Sequence, residues 1–136
     1  MLSNIMGKDS ILVGKHCMEK PEVILSLSST YSLLTTDLAV EDSLCHYPSI
    51  INSISMSPED ILQFLSFHFD NKCLERIAFS ESSLMFIAKE RKIKVAVTDM
   101  VTQNICNELC IETINPHREK SSQSNSVGSK DYGIAG

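Results

Sequence analysis

Between Gly14 and Gly128 the chain contains no glycine; its five glycines stand at 7, 14, 128, 133 and 136. A phosphate cradle or dinucleotide turn needs glycine where backbone approaches the ligand closely. Walker-type and dinucleotide-fingerprint sites are therefore excluded, as is the glycine-flanked serine of a hydrolase elbow. Long apolar runs are missing too. None approaches the roughly 18–20 residues of a membrane span, so no membrane association is expected. The first ten residues, MLSNIMGKDS, lack the basic start and apolar stretch of a signal peptide. Basic residues are outnumbered, with 12 Lys and Arg against 17 Asp and Glu and a net charge of -5. Such a surface has no electrostatic footprint for a phosphate backbone, which disfavours nucleic acid as a partner.

What is present reads as one globular unit. At 136 residues the chain is long enough to bury a core. Its 43% hydrophobic and 21% charged residues argue against disorder of the whole. The five cysteines, an odd number, sit mainly in apolar segments. Without an export signal they are expected as free thiols in a reducing, cytoplasmic compartment.

Residues 1–20 show little pattern beyond Leu12 and Val13 and read as an irregular lead-in. From Pro21 an alternation begins. PEVILSL (21–27) is a short, apolar strand candidate, followed by a helix over 31–43 carrying Leu33, Leu34, Leu38 and Ala39 on one face. YPSIINSIS (47–55) reads as the second strand. Ser57-Pro58-Glu59-Asp60 then combines a capping serine, proline at the first helical position and an acid three residues after the cap. The helix behind it is expected to bury Ile61, Leu62, Leu65 and Phe69. LERIAF (74–79) reads as a strand, 81–91 as a helix, IKVAV (93–97) as the clearest strand, 101–110 as a helix with Val101, Ile105 and Leu109 facing the core, and IETI (111–114) as a last strand.

Apolar strands separated by helices predict an α/β, three-layer domain over 21–116, with a mostly parallel sheet of about five strands. The segment 117–136, with five serines between 121 and 129, is expected to be a disordered tail. Ligands of such sheets bind beyond the carboxyl ends of the strands. The predicted ends, Ser28–Thr30, Ser53–Ser57, Ser80–Ser83 and Thr98–Thr102, are rich in hydroxyls. Singly these suit caps and turns; together they suit a polyanion held by neutral hydrogen bonds and helix N-termini.

Other constellations favour structural roles. The Cys and His residues lack zinc-ligand spacing, so no metal is expected and Cys106 reads as a small buried hydrophobe. His68, inside an amphipathic helix, has no local partner pattern for nucleophilic catalysis. Asp99, in VTDM (97–100), resembles the phosphorylated aspartate of a receiver domain, but the acidic pair and the lysine of that site are missing; helix capping is the favoured role. Residues 102–118 loosely resemble the DNA-reading end of helix-turn-helix regulators, with Pro116 falling where a recognition helix would be broken.

The order of segments over 21–115 resembles one half, best the later half, of uroporphyrinogen-III synthase. EVILSL (22–27) matches its first strand and INSISMSPEDI (51–61) the next strand with its proline-led helix. LERIAFSESSLMF (74–86) matches a strand and hydroxyl-rich turn, and KVAVTDMVTQNICNELCI (94–111) a strand and threonine-started helix. The resemblance implies cofactor-free cyclisation of hydroxymethylbilane, a linear tetrapyrrole polyanion, as a lyase of porphyrin biosynthesis. It implies substrate contacts at Ser80, Ser83 and Thr102, and at Ser53, which stands at or near the family's tyrosine. Asp99 and Cys110 stand where that family has glycines. The family closes its site between two such domains, so a single one is expected to be inactive unless a second domain or chain completes it. The alternative is a non-catalytic sensory or regulatory α/β module of a transcriptional regulator, or a fragment without activity.

Overall fold

The structure, a computed structural model, describes residues 9–116. The tail expected over 117–136 lies outside the described residues, as do residues 1–8. Strand β1 (Ser10–Leu12) leads through Gly14 into a short helix α1 (Lys15–Met18) and then α2 (Pro21–Ser28). Strand β2 (Ser32–Thr36) runs directly into α3 (Asp37–Glu41). A 3-10 turn over Pro48–Ile50 enters β3 (Ile51–Ile54). Then follow α4 (Pro58–Asp70), a 3-10 segment (Lys72–Arg76), α5 (Phe79–Arg91), β4 (Lys94–Ala96), α6 (Met100–Glu108) and β5 (Thr113–Ile114).

The five strands form one sheet, every pairing parallel, in the order β3-β2-β1-β4-β5. The α/β class with a five-stranded parallel sheet is thus as the sequence predicts. Successive strands first move outward from β1 to β3, then the chain returns across the sheet to β4. Right-handed crossovers place the connections made before and after that return on opposite faces. The order reverses between β1 and β4, which is the switch point of this sheet.

Several elements differ from expectation. The lead-in is not irregular: β1 is the central strand, and Ile11, Leu12 and Val13 are fully buried. The α/β unit therefore starts near Ser10 rather than at residue 21. PEVILSL is a helix, not a strand. Pro21 occupies its first turn beside Glu22, and Val23, Ile24 and Leu27 face the core while Leu25 points out. The expected helix over 31–43 is split: its first half is β2, whose Leu33, Thr35 and Thr36 are buried, and its second half holds the helix α3 (Asp37–Glu41). LERIAF is no strand: its first three residues end the 3-10 segment, burying Leu74, and Phe79 opens α5. On α4 the buried face centres on Phe64; Leu62 and Phe69 are 69% and 72% exposed, against expectation. On α6 the core side is Thr102, Ile105, Cys106 and Leu109, with Val101 exposed.

The capping box at Ser57 forms as predicted. Its Oγ accepts from the Asp60 N–H at 3.1 Å, and the Asp60 carboxylate accepts from the Ser57 N–H at 3.3 Å. Helix α5 is the core element: residues from Ser80 to Ala88 are all buried. Its serines survive burial by returning hydrogen bonds locally. The Ser82 hydroxyl donates to the Phe79 carbonyl at 2.8 Å and the Ser83 hydroxyl to the Ser80 carbonyl at 2.6 Å. Rings of Phe64, Phe67, Phe79 and Phe86 pack α4 onto α5.

Candidate functional site

Parallel α/β sheets bind ligands beyond the carboxyl ends of their strands, first of all at the switch point. Here that place lies between the turn after β1 and the turn after β4. In a nucleotide-binding sheet of this order the N–H groups after β1 would meet a phosphate. In this chain they meet the protein's own anion. The Lys15 N–H donates to the Glu81 carboxylate at 2.7 Å. Glu81 projects from the first turn of α5 and is 6% exposed. Gly14 makes the approach possible: a Cβ there would stand 2.7 Å from both Glu81 oxygens and 2.9 Å from Leu84 Cδ1. Its backbone is extended (φ -106°), so space rather than conformation requires the glycine. Burial pushes the Glu81 carboxyl above its ordinary value; the Lys15 N–H and His16 pull it down, while Asp99 and Asp42 reinforce the rise.

The space left at the switch point, lined by Gly14, Cys17, Glu81, Thr98, Asp99 and Thr102, is about 10 Å³. That is at the lower bound for one water and holds no ligand. One strand further, beyond β4 and β5, the edge opens into a cleft of about 520 Å³. Small-molecule sites occupy roughly 300–1,000 Å³. Three amides of α6, Gln103, Asn104 and Asn107, line it together with Thr98, Asp99, Thr113 and Asn115. Met100 and Ile114 supply apolar surface. Among the described residues no Lys, Arg or His lines it.

Some of these groups hold the cleft in shape. Asp99 caps α6: its carboxylate accepts from the Thr102 N–H and the Thr102 hydroxyl, both at 2.9 Å. The receiver-like aspartate is thus a helix cap, as favoured from sequence. Gln103 Nε2 donates to Thr113 Oγ1 at 2.9 Å and to Asn107 Oδ1 at 3.2 Å, tying α6 to β5. Thr98 Oγ1 is buried and has no hydrogen-bond partner.

The hydroxyls singled out from sequence are not gathered into one site. Ser53 lies within the edge strand β3, exposed, in register with Thr35. Ser80 donates to the Asp42 carboxylate at 2.7 Å. Ser83 is fully buried, with its Oγ 2.8 Å from Thr36 Oγ1. Thr102 is spent on Asp99. Ser28 ends α2 and Ser29 and Thr30 follow it, so none of the three ends a strand. Two of the four segments that resemble the synthase, EVILSL and LERIAFSESSLMF, fold as helix and as 3-10 turn plus helix. Of the helix-turn-helix-like segment, residues 102–114 form most of α6 and β5, and 117–118 lie outside the described residues. The three α6 amides were missed, although Gln103, Asn104 and Asn107 have the spacing of one helix face.

His68 and the two buried thiols are poorly placed for nucleophilic chemistry. His68 Nδ1 lies 3.0 Å from Ser82 Oγ. That hydroxyl also lies 2.8 Å from the Phe79 carbonyl; while it donates there, the histidine nitrogen is the donor. Burial pushes the Cys17 and Cys106 thiols up to about 12. All five cysteines are free, and Cys110 is exposed. Among the described residues no group of three or more His, Cys, Asp or Glu could hold a metal, and no helix is long and apolar enough to cross a membrane.

Comparison with protein-family models gives no match, and a search of the curated proteins gives none either.

Proposed function

We propose that this chain is a ligand-binding α/β module of the sensory or regulatory class, performing no reaction, with its site in the cleft beyond β4 and β5. One observation carries this reading: the cleft is of ligand size and lined by amides and hydroxyls, while the nearby groups that could do chemistry are committed elsewhere. Glu81 fills the anion position after β1, Asp99 caps α6, and the buried thiols stay protonated. Cyclisation of a linear tetrapyrrole, the activity the resemblance implies, has less behind it. A substrate of many carboxylates finds Asp99 and no countercharge among the described lining residues. The hydroxyls of Ser80, Ser83 and Thr102 already have partners.

The test is a melting-temperature screen of the full chain against neutral, anionic and cationic metabolites. A ligand present at about a hundred times its Kd stabilises by about 2.7 kcal/mol, which raises Tm by on the order of 10 °C for a domain of this size. The expected result is a rise that Asn104→Ala/Asn107→Ala cuts to about a third, with the ligand recovered unchanged. A rise insensitive to that variant, or turnover of the ligand, would contradict the proposal.

A further inference from the structure

The geometry points to an uncharged polyhydroxy ligand, the size of one sugar ring or cyclic polyol, as the occupant of this cleft; the inference rests on the binding reading above and adds the ligand class. The lining offers both halves of hydrogen bonding, interleaved. The Gln103 amide spends its NH₂ on Asn107 and Thr113, leaving its carbonyl oxygen as an acceptor. Asn107 spends its oxygen on Gln103, leaving its NH₂ as a donor. Asn104, exposed on the same helix, brings one of each. Asp99 directs one carboxylate oxygen at Thr102, and its other oxygen remains an acceptor. A hydroxyl is donor and acceptor at once, so adjacent hydroxyls on a ring match such a surface. A group that only accepts, such as phosphate, does not.

Two exclusions sharpen the class. Among the described residues no cationic side chain lines the cleft, and Asp99 repels anions, so phosphates and carboxylates find no countercharge there. Among the described residues no aromatic side chain lines it either. A nucleobase bound there would lack the stacking platform on which such ligands depend.

The experiment is a titration of the ¹⁵N-labelled full chain with D-glucose, D-galactose, D-ribose and myo-inositol, with adenosine and citrate as the other chemical classes, following the side-chain NH₂ signals. The expected result is saturable shifts of Asn104 and Asn107 with at least one neutral polyol. Asn104→Ala/Asn107→Ala should weaken that binding about thirtyfold, as the loss of two neutral hydrogen bonds predicts. Both side chains are exposed, so the double variant keeps its core. Saturation by adenosine or citrate and by no polyol would overturn the ligand class while keeping the cleft as the site. No saturable shift with any of these probes, together with a flat melting screen, would overturn both.

Discussion

Gly14→Ala tests the closed switch point. The new Cβ would meet Glu81 Oε1 and Oε2 at 2.7 Å and Leu84 Cδ1 at 2.9 Å, where ordinary contact begins at 3.4 Å. The carboxylate must therefore retreat by about 0.7 Å. It cannot do so and keep its 2.7 Å bond from the Lys15 N–H. Overpacking costs about 1–3 kcal/mol, and a hydrogen bond to a charged group is worth about 1.5–3 kcal/mol. One displacement relieves the first at the expense of the second, so the two do not sum fully; we expect a loss of about 2–4 kcal/mol, read from urea denaturation by far-ultraviolet circular dichroism. Against a total of about 5–15 kcal/mol this is a large fraction. The decisive control is the same substitution in a Glu81→Ala background. With the carboxylate gone only Leu84 is crowded, and the added cost of Gly14→Ala should fall to about 1 kcal/mol. A cost below about 0.5 kcal/mol in the native background, or strict additivity of the two substitutions, would refute the reasoning.

Further predictions concern buried polar groups, caps and thiols. The folded-state pKa of Glu81 is raised by burial, so the native state binds the extra proton. Stability from this group is present below the ordinary carboxylate range and is lost as pH rises through the raised value. Glu81→Gln should flatten that decline in a pH series of melting temperatures, and a slope unchanged from the native chain would contradict it. Thr35 Oγ1 is fully buried without a partner, so Thr35→Val should stabilise by about 1 kcal/mol; destabilisation in the same urea assay would show a partner exists. Ser57→Ala removes the Oγ of a complete capping box and should cost about 1 kcal/mol, with no loss counting against the box. At pH 8 a thiol with a pKa of about 12 is ionised to roughly one part in ten thousand. Alkylation followed by mass spectrometry should therefore modify exposed Cys110 first, and Cys17 and Cys106 only on unfolding. Incubation with hydroxymethylbilane should leave the ratio of type III to type I product at the no-protein value; an excess of type III would establish the cyclisation reading instead.

The sheet was legible where local signals agreed. Ser57-Pro58 with Asp60 marks the start of α4, and IKVAV marks β4, because each combines a strong local preference with its tertiary role. The central strand was not legible. Its three residues, Ser10–Leu12, are too few to show a period, and its burial comes from neighbours far along the chain. PEVILSL and YSLLTT exchange roles for a related reason. Short apolar runs fit both periods, and what decides is packing: Val23, Ile24 and Leu27 share a helix face, while β2 pairs on both sides, with β1 and β3. The serines of α5 read as a polar turn because sequence does not reveal local bonds such as Ser83 to the Ser80 carbonyl. The same blindness shaped the candidate site. Hydroxyls at Ser80, Ser83 and Thr102 looked available and are engaged, whereas the amide face of α6 carried a readable spacing and was overlooked.

The central claim is that the ligand enters the cleft beyond β4 and β5 and leaves unchanged. The most direct measurement is a two-dimensional amide map of the labelled chain before and after addition of a protein-free cellular metabolite extract. The account predicts shifts confined to Thr98–Asn107 and Thr113–Asn115, with the spectrum restored on dialysis. Shifts centred instead on the open pocket between Leu38, Asp42 and Phe79, or a spectrum that does not change at all, would contradict it.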